Sequence, residues 1–206
     1  MRVVLALLAA AMTHAATAQE PVRLYAAGSL RAALSEVTAA FTAATGVKVV
    51  AEYGASGLLR DRIAKGEPAE VFASANMAHP ESLAKAGKAA PVALFARNRL
   101  CALAAPGMNV TSATLLDRML DPAVKLGTST PKADPSGDYA WELFEKAERL
   151  RPGAYKTLSG KALQLVGGRD SPPPPKDRSA YAHAMASGQA APSRRIAASA
   201  PGKSTD

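Results

Sequence analysis

Three times in this chain a short run of strand-forming residues ends, a serine beside a glycine follows, and a helical pattern begins. The stretches are "LYAAGSLRAAL" (24–34), "EYGASGLL" (52–59) and "PKADPSGDYAWEL" (131–143). Strands alternating with helices in this way read as crossover units on a parallel sheet. The spacing predicts a strand over Val22–Ala27 and a helix over Leu30–Thr45, with Leu30, Leu34, Val37 and Phe41 on one face and Gly46 as its stop. A strand over Val47–Tyr53, a helix over Ser56–Lys65 stopped by Gly66, a strand over Val71–Ser74 and a helix over Pro80–Ala86 ended by Gly87 follow.

From Pro91 the texture changes. Val92–Phe95 and Leu100–Ala104 read as extended segments around Arg97-Asn98-Arg99, suited to hinge strands. Helices are expected over Ala113–Leu120, Ser136–Leu150, Tyr155–Val166 and Ser179–Ser187, and a strand over Val124–Thr128. Ala140, Leu143, Phe144 and Ala147 form the inner face of the long helix, with Trp141 packed on its flank. Pro172-Pro173-Pro174-Pro175 lacks amide donors and reads as a surface loop. Residues 191–206 show no strand period and no apolar face, which reads as a disordered basic tail.

The chemistry of the repeated junction is specific. The first turn of a helix has unpaired N–H groups and the positive end of the backbone dipole. Glycine lets another group approach, and serine adds a hydroxyl donor. Such a junction can hold an anion with neutral donors alone, and in an open parallel sheet it lies at the carboxyl end of the strands, where ligands bind. Ser29, Ser56, Ser136 and Gly137 are therefore the candidate ligand residues. Each serine is equally explained as an N-cap of its own helix, and each glycine as turn chemistry.

Other chemistries lack their parts. Gly54-Ala55-Ser56-Gly57 is not a nucleophile elbow, because glycine follows serine directly. His79 and His183 have no nearby nucleophile to serve, so a secreted hydrolase built on Ser56 is the weaker reading. No cluster of His, Cys or carboxylates has metal-ligand spacing. Gly153 to Gly160-Lys161 is too widely spaced for a phosphate loop, and Ala162 stands where Ser or Thr is required. The formal charge of +8 suggests an acidic partner, but the basic residues are scattered and no aromatics interleave with them, which excludes a nucleic-acid platform. Cys101 is the single cysteine, so no internal disulfide can form.

The first residues set the compartment. Arg2, the apolar stretch Val3–Met12 and Ala16-Thr17-Ala18 follow the order of a secretory signal peptide, expected over residues 1–18. The apolar run is shorter than the ~20 residues a membrane span needs. The mature protein then starts near Gln19 or Glu20 and lies outside the cytoplasm.

The segment 24–76, from "LYAAGSLRAAL" to "EVFASAN", closely resembles the start of periplasmic molybdate-binding proteins, the substrate-binding component of molybdate ABC transporters. The matching features are A-A-x-S-L, T-G-V-K-V, x-G-x-S-G-x-L and G-x-P-A-[DE]-V-F-x-S-A. "DPSGDYA" (134–140) is similar to a further motif of that family with a shorter loop, and the resemblance covers about residues 20–190. It implies an α/β, two-lobed periplasmic-binding-protein-like fold with parallel-rich sheets flanked by helices. Residues 19–92 would form the first lobe and 93–190 the second.

The resemblance implies a binding protein, not an enzyme. Ser29 and Ser56 would give hydroxyl and N–H bonds to molybdate or tungstate, the backbone near Ser136 and Gly137 a third contact, and the helix start near Arg178 a fourth. An arginine there would add charge to a site usually made of neutral donors. No cofactor is implied beyond the oxyanion itself. The partner would be a membrane permease, with no nucleic acid, and the protein a monomer. A sulfate-like anion or other small solute on the same fold stays open, as does a copy that binds nothing. In the family, "MASGQA" (185–190) leads into a strand with a ligand-contacting tyrosine and back to the first lobe. The Ser/Ala/Arg/Pro-rich residues beyond Ala190 do not resemble it. The expectation is a first lobe left incomplete, by truncation or a shifted reading frame.

Overall fold

A computed structural model describes residues 19–173, 180–186 and 195–199. Its first part contains β1 (Val22–Ala27), a tight 3-10 turn (Gly28–Leu30), α1 (Arg31–Thr45) and β2 (Val49–Gly54). It continues with α2 (Ser56–Ala64), β3 (Val71–Ala73) and α3 (Ala78–Lys85). The strands form a parallel sheet in the order β2-β1-β3, with Ala27 paired to Gly54 at the carboxyl end. The central strand is covered on both faces, so Leu24, Tyr25, Ala26 and Ala27 are all buried. Gly46, at φ 75°, closes α1 in the left-handed conformation that a residue with a Cβ avoids.

The second part contains β4 (Cys101–Ala104), α4 (Leu115–Leu120), β5 (Lys125–Ser129) and α5 (Pro135–Leu150). It ends with α6 (Ala154–Lys161), β6 (Ala162–Val166), α7 (Ala180–Ala186) and β7 (Arg195–Ser199). The sheet order is β4-β7-β5-β6, with β5 parallel to both neighbours and β4 antiparallel to β7. Phe144, Leu126, Leu158, Val124, Met119 and Ile196 make the core. The apolar face of α5 lies where its periodicity puts it: Ala140, Phe144 and Ala147 are buried, and Leu143 and Trp141 pack against the same cluster. Trp141 and Phe144 meet with ring centroids 5.3 Å apart.

The structure corrects four expectations. The helix expected over Tyr155–Val166 stops at Lys161, and Ala162–Val166 is a strand. Its "ALQLV" run is short enough for either state, and pairing with the buried strand β5 decides it. The tail is not structureless throughout: Arg195–Ser199 is β7, with Ile196 and Ala197 each 1% exposed. Alanines fit between crowded strands even though they carry no strand pattern. Val92–Phe95 is in no strand, and Leu94 and Phe95 are exposed. Only Cys101–Ala104 finds a partner, in β7. Finally, α1 buries its apolar stripe only at the start. Leu30 and Leu34 pack on β1 and β2, whereas Val37 is 58% and Phe41 43% exposed. The proposed signal segment, Arg178 and the rest of the tail lie outside the described residues.

Candidate functional site

The serine–glycine junctions fall at the carboxyl ends of their strands. Ala27 and Gly54 are partners in the ladder, so the turn carrying Ser29 and the start of α2 carrying Ser56 are neighbours. A Cβ on Gly28 would lie 4.0 Å from the Gly54 carbonyl oxygen. Neither helix start has a side-chain cap. Ala27 and Ala55 hold the N-cap positions, so Ser29 and Ser56 stand just inside their turns and do not cap them. In the first turn of α2 the Gly57 N–H is spent on the Ala133 carbonyl, and no side chain caps the rest of either start.

The two serines differ in setting. Ser29 is exposed, and its hydroxyl has no hydrogen-bond partner among the described residues. Arg31, two residues along the chain, is committed to the face of Tyr53, 4.6 Å from the ring centroid. Ser56 is fully buried, and its Oγ accepts the Ala75 N–H at 3.2 Å, which leaves its own O–H to donate. The Ala75 carbonyl in turn accepts from Tyr139 Oη at 3.2 Å and Asn98 Nδ2 at 3.0 Å. The backbone of one residue, Ala75, thus ties the Ser56 hydroxyl to α5 and to the connector between the sheets.

The second lobe meets the first at this point. Gly57 N–H donates to the Ala133 carbonyl at 2.9 Å. A Cβ on Gly57 would fall 2.3 Å from Lys132 O and 2.7 Å from Ala133 O, so only glycine permits this approach. Lys132 is itself in the left-handed region at φ 67°, which costs about 1–2 kcal/mol for a residue with a Cβ. Its N–H is held by Asp138 Oδ1 at 2.7 Å, and Asp138 Oδ2 accepts a long bond from Asn76 Nδ2 at 3.4 Å. Strain of this kind persists where the surroundings over-determine it, commonly at functional sites.

The third junction is built differently. Asp134, not a serine, caps α5, and Pro135 fills its first position. Asp134 Oδ1 accepts Ser136 N–H at 2.9 Å and the Ser129 hydroxyl at 3.1 Å, while Gly137 N–H donates to Asp134 O at 2.9 Å. The backbone N–H groups of Ser136 and Gly137 are therefore already engaged. The other carboxylate oxygen packs toward Gly167, where an added Cβ would come within 2.8 Å of it. Burial pushes the Asp134 carboxyl above its usual range, and the Ser136 and Ser129 donors partly offset this. Gly137 is needed for its own loop: a Cβ there would meet Pro131 N at 2.6 Å and Ser129 O at 2.8 Å.

Buried His79 Nε2 has no partner among the described residues. His79, on α3, is held below its ordinary pKa, first by burial and then by Arg60, with Asp138, Asp61 and Asp134 opposing. Tyr181, at the start of α7, reaches the α5 N-terminus, where the Ser129 and Ser136 side chains stand in hydrogen-bond relation to its hydroxyl. Sequence reasoning missed Asp134, Asp138, Asn76 and Tyr181. The Asp-Pro pair was a readable cap signal, but no sequence pattern announces a contact between lobes.

The chain matches the bacterial extracellular solute-binding protein family over residues 22–193. It is 39% identical over 150 residues to an uncharacterized protein of Pasteurella multocida, covering 72% of this chain and 62% of that one. It is 31% identical over 131 residues to the molybdate-binding protein ModA of Rhodobacter capsulatus, covering 62% and 49%. The chain thus spans 62% and 49% of the length of these relatives, less than two thirds of either.

Solved structures share the fold. The periplasmic molybdate-binding protein of Azotobacter vinelandii superposes with a TM-score of 0.57 at 22% identity, covering 87% of this chain and 71% of that one. The sulfate-binding protein SubI of Mycobacterium tuberculosis gives 0.66 at 20%, covering 88% and 65%. Iron-bound HitA of Pseudomonas aeruginosa gives 0.53 at 16%, covering 88% and 63%.

Proposed function

Since this chain belongs to the bacterial extracellular solute-binding protein family, we propose that it captures a tetrahedral oxyanion, molybdate before others, and hands it to the membrane permease of an ABC transporter. The observation that carries this reading is the pair of uncapped helix starts after β1 and β2. They offer the Ser29 and Ser56 hydroxyls and adjacent amides at one edge of a parallel sheet. Neutral donors at helix N-termini suit a small ion with acceptors only. The Asp134 carboxylate does not oppose this, because its oxygens are turned into the α5 cap and toward Gly167. The protein works by binding, not by turnover, outside the cytoplasm.

Molybdate ranks ahead of sulfate and iron because the 31% identical relative is a molybdate-binding protein. The sulfate and iron binders share the fold at 20% and 16% identity. Tungstate would bind alongside molybdate on the same donors. A thermal-shift panel of molybdate, tungstate, sulfate, phosphate and ferric ion tests the reading. A ligand at 100 times its Kd stabilises the native state by about 2.7 kcal/mol, or roughly 5–11 °C for a chain of this size. A shift with molybdate and tungstate is expected. A shift with ferric ion alone, or with none of the oxyanions, would overturn it.

A further inference from the structure

We infer that His79 makes the contact between the two lobes acid-labile: the contact forms around a neutral imidazole and loosens when the ring takes up a proton. His79 lies on α3 and is 6% exposed, and its buried Nε2 has no partner among the described residues. α3 packs on α2. The charges that act on the ring come from both lobes, Arg60 and Asp61 on α2 and Asp134 and Asp138 at the start of α5. A chain of hydrogen bonds joins it to the second lobe. The His79 backbone N–H donates to Asn76 Oδ1 at 3.2 Å, and Asn76 Nδ2 donates to Asp138 Oδ2 at 3.4 Å. Asp138 Oδ1 holds the Lys132 N–H, and the next carbonyl, of Ala133, accepts the Gly57 N–H.

The chemistry of the ring sets the sign. A neutral imidazole carries one proton and can leave Nε2 as a bare acceptor, whereas the cation donates from both nitrogens. Protonation therefore puts a buried, charged N–H at Nε2 with no acceptor for it, which is costly. Burial first and Arg60 next hold the ring below its ordinary pKa, against the pull of Asp138, Asp61 and Asp134. A ring released to water when the lobes part returns to about 6.5. The parted state then binds more protons than the joined one. The contact is at full strength above about pH 6.5 and weakens as pH falls below it. Asp134 acts in the opposite sense, because burial raises its pKa and the joined state keeps its proton longer. The inference stands on the lobe contact and on no ligand. Its consequence for an oxyanion rests on the reading above: Ser56 Oγ is tied to the Ala75 N–H beside Asn76, so release would be favoured on the acid side.

Amide hydrogen exchange of the full chain without ligand, read by NMR and corrected for the intrinsic rate, tests this at the Gly57 N–H. Between pH 7.5 and 5.5 its protection in the wild type should fall by up to about tenfold, the limit for one histidine that titrates only in the parted state. The Leu126 amide, in the core of the second lobe, is the control and should keep its protection. His79→Gln cannot take up a proton and should hold its pH 7.5 protection at Gly57 throughout. His79→Phe, a ring without nitrogens, should do the same and covers the case in which glutamine disturbs the fold. Constant protection at Gly57 in the wild type overturns the inference. An equal loss in the wild type and the variants also overturns it, because another group then carries the titration.

Discussion

Replacing Gly57 with alanine tests whether the contact between α2 and the Lys132–Ala133 loop holds the two lobes together. The new Cβ would stand 2.3 Å from Lys132 O and 2.7 Å from Ala133 O, whereas ordinary contact begins near 3.4 Å. Both neighbours are backbone, so no side chain can swing aside, and the loop must withdraw by about 1 Å. That breaks the Gly57 N–H to Ala133 O bond and strains the Tyr139 and Asn76 contacts beside it. The bond alone is worth about 0.5–1.5 kcal/mol, and overpacking adds to a total of about 1–3 kcal/mol. The arrangement with the loop against α2 should then lose roughly 5–150-fold in population against one in which the two have parted. Gly57 has no left-handed φ, and alanine favours helix, so α2 itself should not suffer. Small-angle scattering with molybdate present should report a larger radius of gyration for the variant, and calorimetry a proportionate loss of affinity. Gly137→Ala is the contrast, because its Cβ would collide within the second lobe and lower the melting temperature. A G57A protein with wild-type scattering and wild-type affinity would refute the reasoning.

Three further outcomes follow from the geometry. Lys132→Gly relieves the left-handed strain at φ 67° and should raise stability by about 1 kcal/mol, some 2–4 °C in a thermal melt; a lower melting temperature would contradict it. Phe144→Ala empties the centre of the second core and should cost about 3–5 kcal/mol by urea titration of unfolding; a loss below 1 kcal/mol would mean that the core is misassigned. Arg62 and Tyr25 hold the Glu67 carboxyl down to about 2, so it adds stability that is present above its unfolded pKa near 4.5 and lost as pH falls toward 2. Glu67→Gln should flatten the acid limb of a melting-temperature profile between pH 5 and 2, and an unchanged limb would show that the Arg62–Glu67 pair contributes nothing.

The alternation of strands and glycine-stopped helices made the first sheet legible, because each period has one structural reading there. Of the candidate site, the placement of its local parts was legible: Ser29 and Ser56 stand after the carboxyl ends of adjacent strands. What failed depended on long-range partners. "ALQLV" becomes a strand only because β5 lies beside it, and Arg195–Ser199 because β4 and β5 leave a slot between them. The reading of Ser136 as an open donor overlooked the Asp134 cap two residues before it, although an aspartate before proline is a local signal. Gly57 and Gly137 read as places where a group approaches the backbone, and that is what they are. Sequence could not say that the approaching group is the chain itself in both cases.

Titration of the purified protein with molybdate by calorimetry, run beside Ser56→Ala, tests the oxyanion reading most directly. The Ser56 O–H is a buried donor at an uncapped helix start, so its removal should weaken molybdate binding about tenfold or more while the protein stays folded. Equal affinity in the two proteins, or no heat from the wild type with any tetrahedral anion, would contradict it.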